Sequence, residues 1–338
     1  MLNTVINIGA NCNTMTTTVP LIYSFPGFAG VAEAVADHVI SAQNYTLYQT
    51  LDKSQIQILK EKALQTEHSA SSSLSLSSSA VNMNGMTQLN NGNTNGNKKK
   101  KEKSKRFGDT RFKIAISGGS LIKILNQGLL SRQQEIEWDK WDIYFADERL
   151  VEFDSPDSNF GQAKKQIFDH IVGDKKPNIY HIDESLLDDP QEVADAYEKL
   201  LINNFAKKDS VKLPCFDIVL LGCAPDGHIA SLFPSHPSLR EKLAWCLPVE
   251  NAPSGPSNRV TLSIPVICHA ARVSFVVEGL TKANIVRTIM ERPEKGLPAS
   301  IVNEGAAGRV TWFVDDDALK ECYEITKKDY KFLTLDKE

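Results

Sequence analysis

Four short apolar runs, at residues 111–117, 141–146, 216–222 and 272–278, constrain this chain more than anything else in it. Each stops at a turn that carries glycine, charge or both, which is how buried strands of a parallel sheet read. Further strand-like segments at 20–26, 259–264 and 309–315 alternate with helical stretches near 30–66, 121–130, 158–171, 191–205 and 281–290. The pattern predicts an α/β fold, a doubly wound, mostly parallel sheet flanked by helices in a modified Rossmann-like arrangement. In such sheets ligands bind in the crevice outside the carboxyl ends of the strands. The turns after the apolar runs are therefore where chemistry is expected.

Three of these turns carry suitable residues. After the run at 216–222 comes Cys223-Ala224-Pro225-Asp226-Gly227-His228, with Asp226 near enough to His228 to set the imidazole's orientation or proton affinity. Taken alone, Asp-Gly is common turn chemistry and the histidine could be a surface residue. After 111–117, Gly118-Gly119-Ser120 opens a helix, so backbone N–H groups and a helix N-terminus face the crevice together. After 141–146 stand Asp147-Glu148-Arg149, expected at the crevice rim. Arg149 suits a phosphate or a developing oxyanion, and reads equally well as a rim ion pair with Asp147 or Glu148. Lys282, at the start of the helix after 272–278, would by itself be a solvated helix lysine. Convergence of several strand ends on one crevice favours a site.

The motifs Ser117-Gly-Gly-Ser120, Asp147-Glu-Arg149 with Pro156-Asp-Ser-Asn-Phe-Gly161, Pro225-Asp-Gly-His-Ile-Ala-Ser-Leu-Phe-Pro234, Arg259-Val-Thr-Leu, Gly279-Leu-Thr-Lys282-Ala and Leu297-Pro-Ala-Ser occur in this order. In that order and spacing the chain resembles 6-phosphogluconolactonases, within the superfamily that includes glucosamine-6-phosphate deaminases. The resemblance runs from about Pro20 to Asp317, apart from one insertion. It implies hydrolysis of 6-phospho-D-glucono-1,5-lactone to 6-phospho-D-gluconate in the oxidative pentose phosphate pathway. On this reading His228 activates water beside Asp226 and Arg149. Gly118, Gly119, Ser120, Arg259 and Lys282 surround the phosphate, and Asp147, Asn159 and Gly227 line the pocket. It implies no cofactor and no metal.

Ile229 matches the deaminase version of the turn. Yet Ser231-Leu-Phe-Pro234 replaces the segment that supplies the deaminases' acidic residue, and Arg149 stands where they resemble Asp-Glu-Tyr. Other departures bear on activity. Ala224 stands where the family usually has glycine, Leu121-Ile122 replaces a residue-plus-proline pair, and residues 252–258 lack a lysine often found there. These departures match a fungal subgroup connected with tRNA export, which is the alternative reading of a weakly or non-catalytic relative.

Residues 69–106 lose all apolar periodicity. A serine-rich tract is followed by an asparagine/glycine tract and then by 98–106, from Lys98 to Arg106, with seven basic residues in nine. Such composition predicts a disordered insertion. Its basic end reads equally as a solubilising loop or as a signal for an import receptor or RNA-linked partner. Subtracting its charge of +6 from the formal −4 of the chain leaves −10, so the folded body offers no general nucleic-acid footprint. The expected organisation is a loose terminus at 1–19, one domain over 20–68 and 107–320, the insertion, and a tail at 321–338. The six cysteines show no metal-ligand spacing, and those at 215, 246 and 268 read as buried thiols. No stretch is long and apolar enough to span a membrane, and residues 1–20 do not resemble a signal peptide, so a cytoplasmic protein, with nuclear access through the basic run, is expected.

Overall fold

A computed structural model of the chain describes residues 20–48, 110–206 and 212–332. The expected loose terminus, the insertion and its basic run lie outside the described residues, as does the continuation of the first helix towards 66. Residues Asn44–Tyr48 and Thr110 group with that undescribed segment as a second unit, and all that follows concerns the main one.

Among its described residues, the main unit is organised by eight parallel strands: β1 (Leu21–Phe25), β2 (Phe112–Ile116), β3 (Trp141–Phe145), β5 (Asn178–Tyr180), β6 (Ile218–Leu221), β9 (Val273–Val277), β10 (Val310–Asp315) and β11 (Lys327–Lys328). Their order across the sheet is β11-β1-β10-β9-β6-β2-β3-β5. Every pairing is parallel. All residues of β3, β6, β9 and β10 are buried, which explains why these strands read as continuous apolar runs rather than as alternations. Among the described residues, seven helices accompany the strands: α1 (Phe28–Tyr48), α2 (Ser120–Ser131), α3 (Asn159–Gln166), α4 (Pro190–Phe205), α5 (Ile264–His269), α6 (Ala283–Glu291) and α7 (Pro298–Gly305). α2 buries Leu121, Ile122, Ile124, Leu125 and Leu129 along one face. α4 starts where Asp189 accepts hydrogen bonds from the N–H groups of Gln191 and Glu192, with Pro190 in the first turn. The α/β fold is thus as the sequence implies.

Four segments differ from the expected arrangement. Residues 259–264 do not join the main sheet. Arg259–Leu262 is instead β8, the middle strand of a small antiparallel sheet between β4 (Asp147–Arg149) and β7 (Cys246–Val249). The charged Asp147-Glu148-Arg149 segment is therefore a strand and not a rim loop. The helix expected over 158–171 stops at Gln166 and continues as a single turn, Phe168–His170. Residues after 320, expected as a tail, carry β11 along the edge of β1. Tyr330 there packs edge-on against Tyr23 and donates to Asp37 on α1 at 3.0 Å.

Numbering along the sheet reverses between β2 and β6. The chain moves outward from β2 to β3 on one side, while β6 and β9 lie on the other. The turns after β2 and β6 thus leave adjacent strand ends, at the switch point where an α/β sheet opens its ligand crevice.

Candidate active site

β6 delivers the chain to Gly222, and the next residues fold back on themselves. Gly227 N–H donates to Ala224 O at 2.9 Å and Ala224 N–H to His228 O at 3.1 Å. Gly227 has φ +89, a conformation that L side chains rarely adopt, so the turn favours glycine there. This closure brings Asp226 against His228. Asp226 Oδ1 accepts from the His228 backbone N–H at 3.2 Å and lies 2.7 Å from His228 Nδ1. An ionised Asp226 fixes the tautomer with hydrogen on Nδ1 and leaves the Nε2 lone pair to accept a proton. The imidazole packs on Phe233, 4.6 Å between ring centres. Burial lowers its pKa from the ordinary 6.5, against the opposing pull of Asp226. At neutral pH His228 is an uncharged base.

Asp147 is buried and joins the strand ends. Its carboxylate accepts from Ser117 Oγ at 2.7 Å and from Ser231 Oγ at 2.8 Å, tying together the ends of β2, β3 and the histidine turn. Its carbonyl accepts from Asn159 Nδ2 at 2.9 Å. The Asn159 amide in turn lies directly over Gly118, where a Cβ would stand 1.7 Å from Asn159 Oδ1. Gly118 is thus set by close approach. Gly119 then precedes Ser120, the first residue of α2.

Cations come from three elements. Arg149 and Arg259 are directly opposite on antiparallel β4 and β8. Like charges in that position repel. Arg149 Nη1 donates to Asp157 O at 2.8 Å, and the ion pair with Asp147 or Glu148 considered above does not form among the described residues. Arg259 is 2% exposed, donates Nε to Pro256 O at 3.0 Å and Nη2 to Ser254 O, and stacks over Phe233. Burial first, and Arg149 second, act against its charge. Arg149 Nε and Arg259 Nη1 are buried without a hydrogen-bond partner. Across the switch point, Lys282 Nζ donates to Ser120 Oγ at 3.3 Å.

The expected residues therefore fall into connected sets: Asp226 with His228, His228 and Arg259 on the same Phe233 ring with Arg149 opposite Arg259, Lys282 with Ser120, and Asp147 with Asn159, which lies over Gly118. Neither Asp147 nor Glu148 lies at a rim, since both are buried. Glu148 was missed by sequence reasoning. Its carboxylate accepts from the backbone N–H of Arg149 (2.9 Å), Asn159 (2.6 Å) and Phe160 (2.7 Å), and burial pushes its pKa up to about 7. The structural roles of Ser117 and Ser231 also had no sequence signal beyond their place in the motifs.

Among the departures, Leu121 and Ile122 are core residues of α2, and residues 254–256 supply the carbonyls that hold Arg259. Among the described residues, those with positive φ other than glycine are Ala230, Ser235 and Asn251, so Ala224 lies outside the left-handed region. Ala224→Gly should accordingly leave turnover unchanged and lower stability by up to about 1 kcal/mol through unfolded-state entropy. Steady-state rates and thermal melts of the variant check this, and a clear gain in turnover would show that the methyl group obstructs the site. Cys223 is buried and burial pushes its thiol up to about 12, which suits a packing residue. Cys215 is exposed and Cys268 partly so, contrary to the buried thiols expected from their apolar surroundings.

Residues 97–312 match the family of glucosamine-6-phosphate isomerases/6-phosphogluconolactonase. The chain is 60% identical over 325 residues to 6-phosphogluconolactonase-like protein 1 of Saccharomyces cerevisiae, covering 94% of this chain and 98% of that protein. It is 45% identical over 211 residues to a probable 6-phosphogluconolactonase of Schizosaccharomyces pombe, covering 61% of this chain and 82% of that one. The crystal structure of 6-phosphogluconolactonase from Leishmania guyanensis has the same fold, with a TM-score of 0.62 at 23% identity over 88% of this chain and 97% of that one. The chain belongs to the glucosamine-6-phosphate isomerase/6-phosphogluconolactonase family. Family and fold support a lactonase-type function, and no helix among the described residues is long and apolar enough to cross a membrane.

Proposed function

We propose that the chain hydrolyses 6-phospho-D-glucono-1,5-lactone to 6-phospho-D-gluconate in the oxidative pentose phosphate pathway, as a cytoplasmic enzyme. The observation that carries this reading is the 2.7 Å His228–Asp226 pair at the sheet's switch point, with Arg149 and Arg259 opposed on β4 and β8 and Lys282 bonded to Ser120. Neutral His228 takes a proton from water on Nε2 while the water oxygen bonds to the lactone carbonyl carbon. Negative charge moves onto the carbonyl oxygen, where Arg149 stabilises it. The tetrahedral centre then collapses, the bond to the ring oxygen breaks, and that oxygen receives the proton from Nε2–H. Asp226 holds the imidazolium between the two transfers.

The phosphate is assigned to Arg259, Lys282, Ser120 and the N–H groups of the Gly118-Gly119 turn. Two opposed arginines with unsatisfied buried donors are relieved by an anion. Asp147 speaks against the deaminase alternative, because the two serine hydroxyls occupy its carboxylate and it is 3% exposed. Arg259→Ala or Lys282→Ala should weaken the phosphorylated lactone by about 1.5–3 kcal/mol, read as a raised KM, and leave unphosphorylated gluconolactone nearly unaffected. Equal losses on both substrates would make these residues structural.

The function is tested by lactone hydrolysis with purified protein, corrected for the spontaneous reaction. A second reading makes the chain a weak or non-catalytic relative with a tRNA-linked or nuclear role through the basic run 98–106. It is favoured by the departures from the family motifs and by the name of the 60% identical relative. A corrected rate no greater than that of the His228→Ala variant would select it.

A further inference from the structure

Glu148 is 1% exposed and has no cation paired with it among the described residues. A lone carboxylate held this deep is costly unless several donors face it. Its three donors join β4 to the start of α3. Oε1 takes the N–H of Arg149 and of Asn159, and Oε2 takes the N–H of Phe160. Ser158 caps the same helix end by accepting from Gly161 N–H at 3.0 Å, so α3 has a cap without Glu148. What Glu148 adds is register. The segment it grips supplies Asp157 O to the Arg149 guanidinium and lays the Asn159 amide against Gly118. One carboxylate therefore touches the supports of both the Arg149 guanidinium and the Gly118 turn.

We infer that Glu148 is a positioning residue, whose buried carboxylate holds Arg149 and the Gly118 turn in the single arrangement that receives the sugar phosphate. The inference rests on the proposed lactonase site. With its proton affinity raised by burial, Glu148 changes charge close to neutral pH. Protonation turns one acceptor into a donor and leaves an N–H at the start of α3 without its carboxylate partner. The titratable groups around it among the described residues are Asp147 on β4, Tyr197 on α4 and Cys246 on β7. Burial raises the proton affinity of Tyr197 and Cys246 further above neutrality, so neither loses a proton there.

The test compares the full-length protein with Glu148→Gln, measuring dissociation constants for 6-phosphogluconate by calorimetry from pH 5.5 to 8.5, with melting temperatures alongside. At pH 8.5 the variant should bind on the order of tenfold more weakly, the loss of a hydrogen bond to a charged group. The ratio of the two constants should fall towards one at pH 5.5, where the wild-type side chain is itself neutral. Titration of the phosphate and of His228 is common to both proteins and cancels in the ratio. Because the folded state raises the carboxyl's proton affinity, ionisation costs stability as pH rises from 4.5 through about 7. The variant should thus melt no lower than wild type at pH 8.5. A pH-independent ratio, or a variant that loses melting temperature and affinity together at every pH, would overturn the positioning role alone. A wild-type protein that does not bind 6-phosphogluconate overturns the proposed function and this role with it.

Discussion

Replacing His228 with alanine lowers lactone turnover by about 10²–10⁴-fold while binding of 6-phosphogluconate stays within about threefold of wild type. The separation follows from geometry. His228 is held by Asp226 through Nδ1, and its other nitrogen acts on water, whereas the proposed phosphate ligands belong to β8, α2 and the start of α6. Rapid-mixing or product-trapping assays, corrected for spontaneous hydrolysis, measure the rate, and calorimetry measures the binding. The wild-type rate should also fall with acid at a pH below 6.5, since burial disfavours the charged imidazole. The sign for stability is the same. A histidine with a depressed folded pKa contributes stability that is present above its unfolded value and lost as pH falls through 6.5 towards the folded value. A His228→Ala variant with undiminished turnover would remove the histidine from the mechanism and with it the proposed chemistry.

The central strands of the main sheet were legible because they are buried on both faces, whereas the short, more exposed edge strands β5 and β11 were not. Ile218–Leu221 and Val273–Val277 have no polar alternation to confuse with a helix face, and each ends at a turn with its own signature. The small antiparallel sheet was not legible. Its strands are three or four residues long, and Asp147–Arg149 carries three charges that on composition alone belong to solvent. Their burial depends on partners distant in sequence: Ser117 and Ser231 for Asp147, and the start of α3 for Glu148. No local pattern marks such pairing. The Asp226–His228 contact could be read from a spacing of two residues, because a tight turn brings both side chains to one side. The facing of Arg149 and Arg259 could not, because it depends on antiparallel register between segments about a hundred residues apart. The conformation of Ala224 was equally hidden, since its backbone follows from the closure of the whole turn.

A tight local constraint at the proposed site lies at Gly118, and Gly118→Ala should cost about 3 kcal/mol, at the upper end of what overpacking does. The added methyl would stand 1.7 Å from Asn159 Oδ1 and 2.3 Å from its Cγ. Asn159 cannot retreat cheaply. Its side chain donates to Asp147 O, its backbone N–H is held by Glu148, and it is 1% exposed. The clash must move either the Gly118 turn or the start of α3, and either shift disturbs the supports of the proposed phosphate subsite. Affinity for 6-phosphogluconate should therefore fall together with stability. A double-mutant cycle isolates the cause. Asn159→Ala removes the amide that the new methyl meets, so Gly118→Ala in that background should cost markedly less, with a coupling of about 1.5–3 kcal/mol by chemical denaturation. Additive losses would mean that the two residues do not share one contact, and that Gly118 is required for its backbone and not for the space above it.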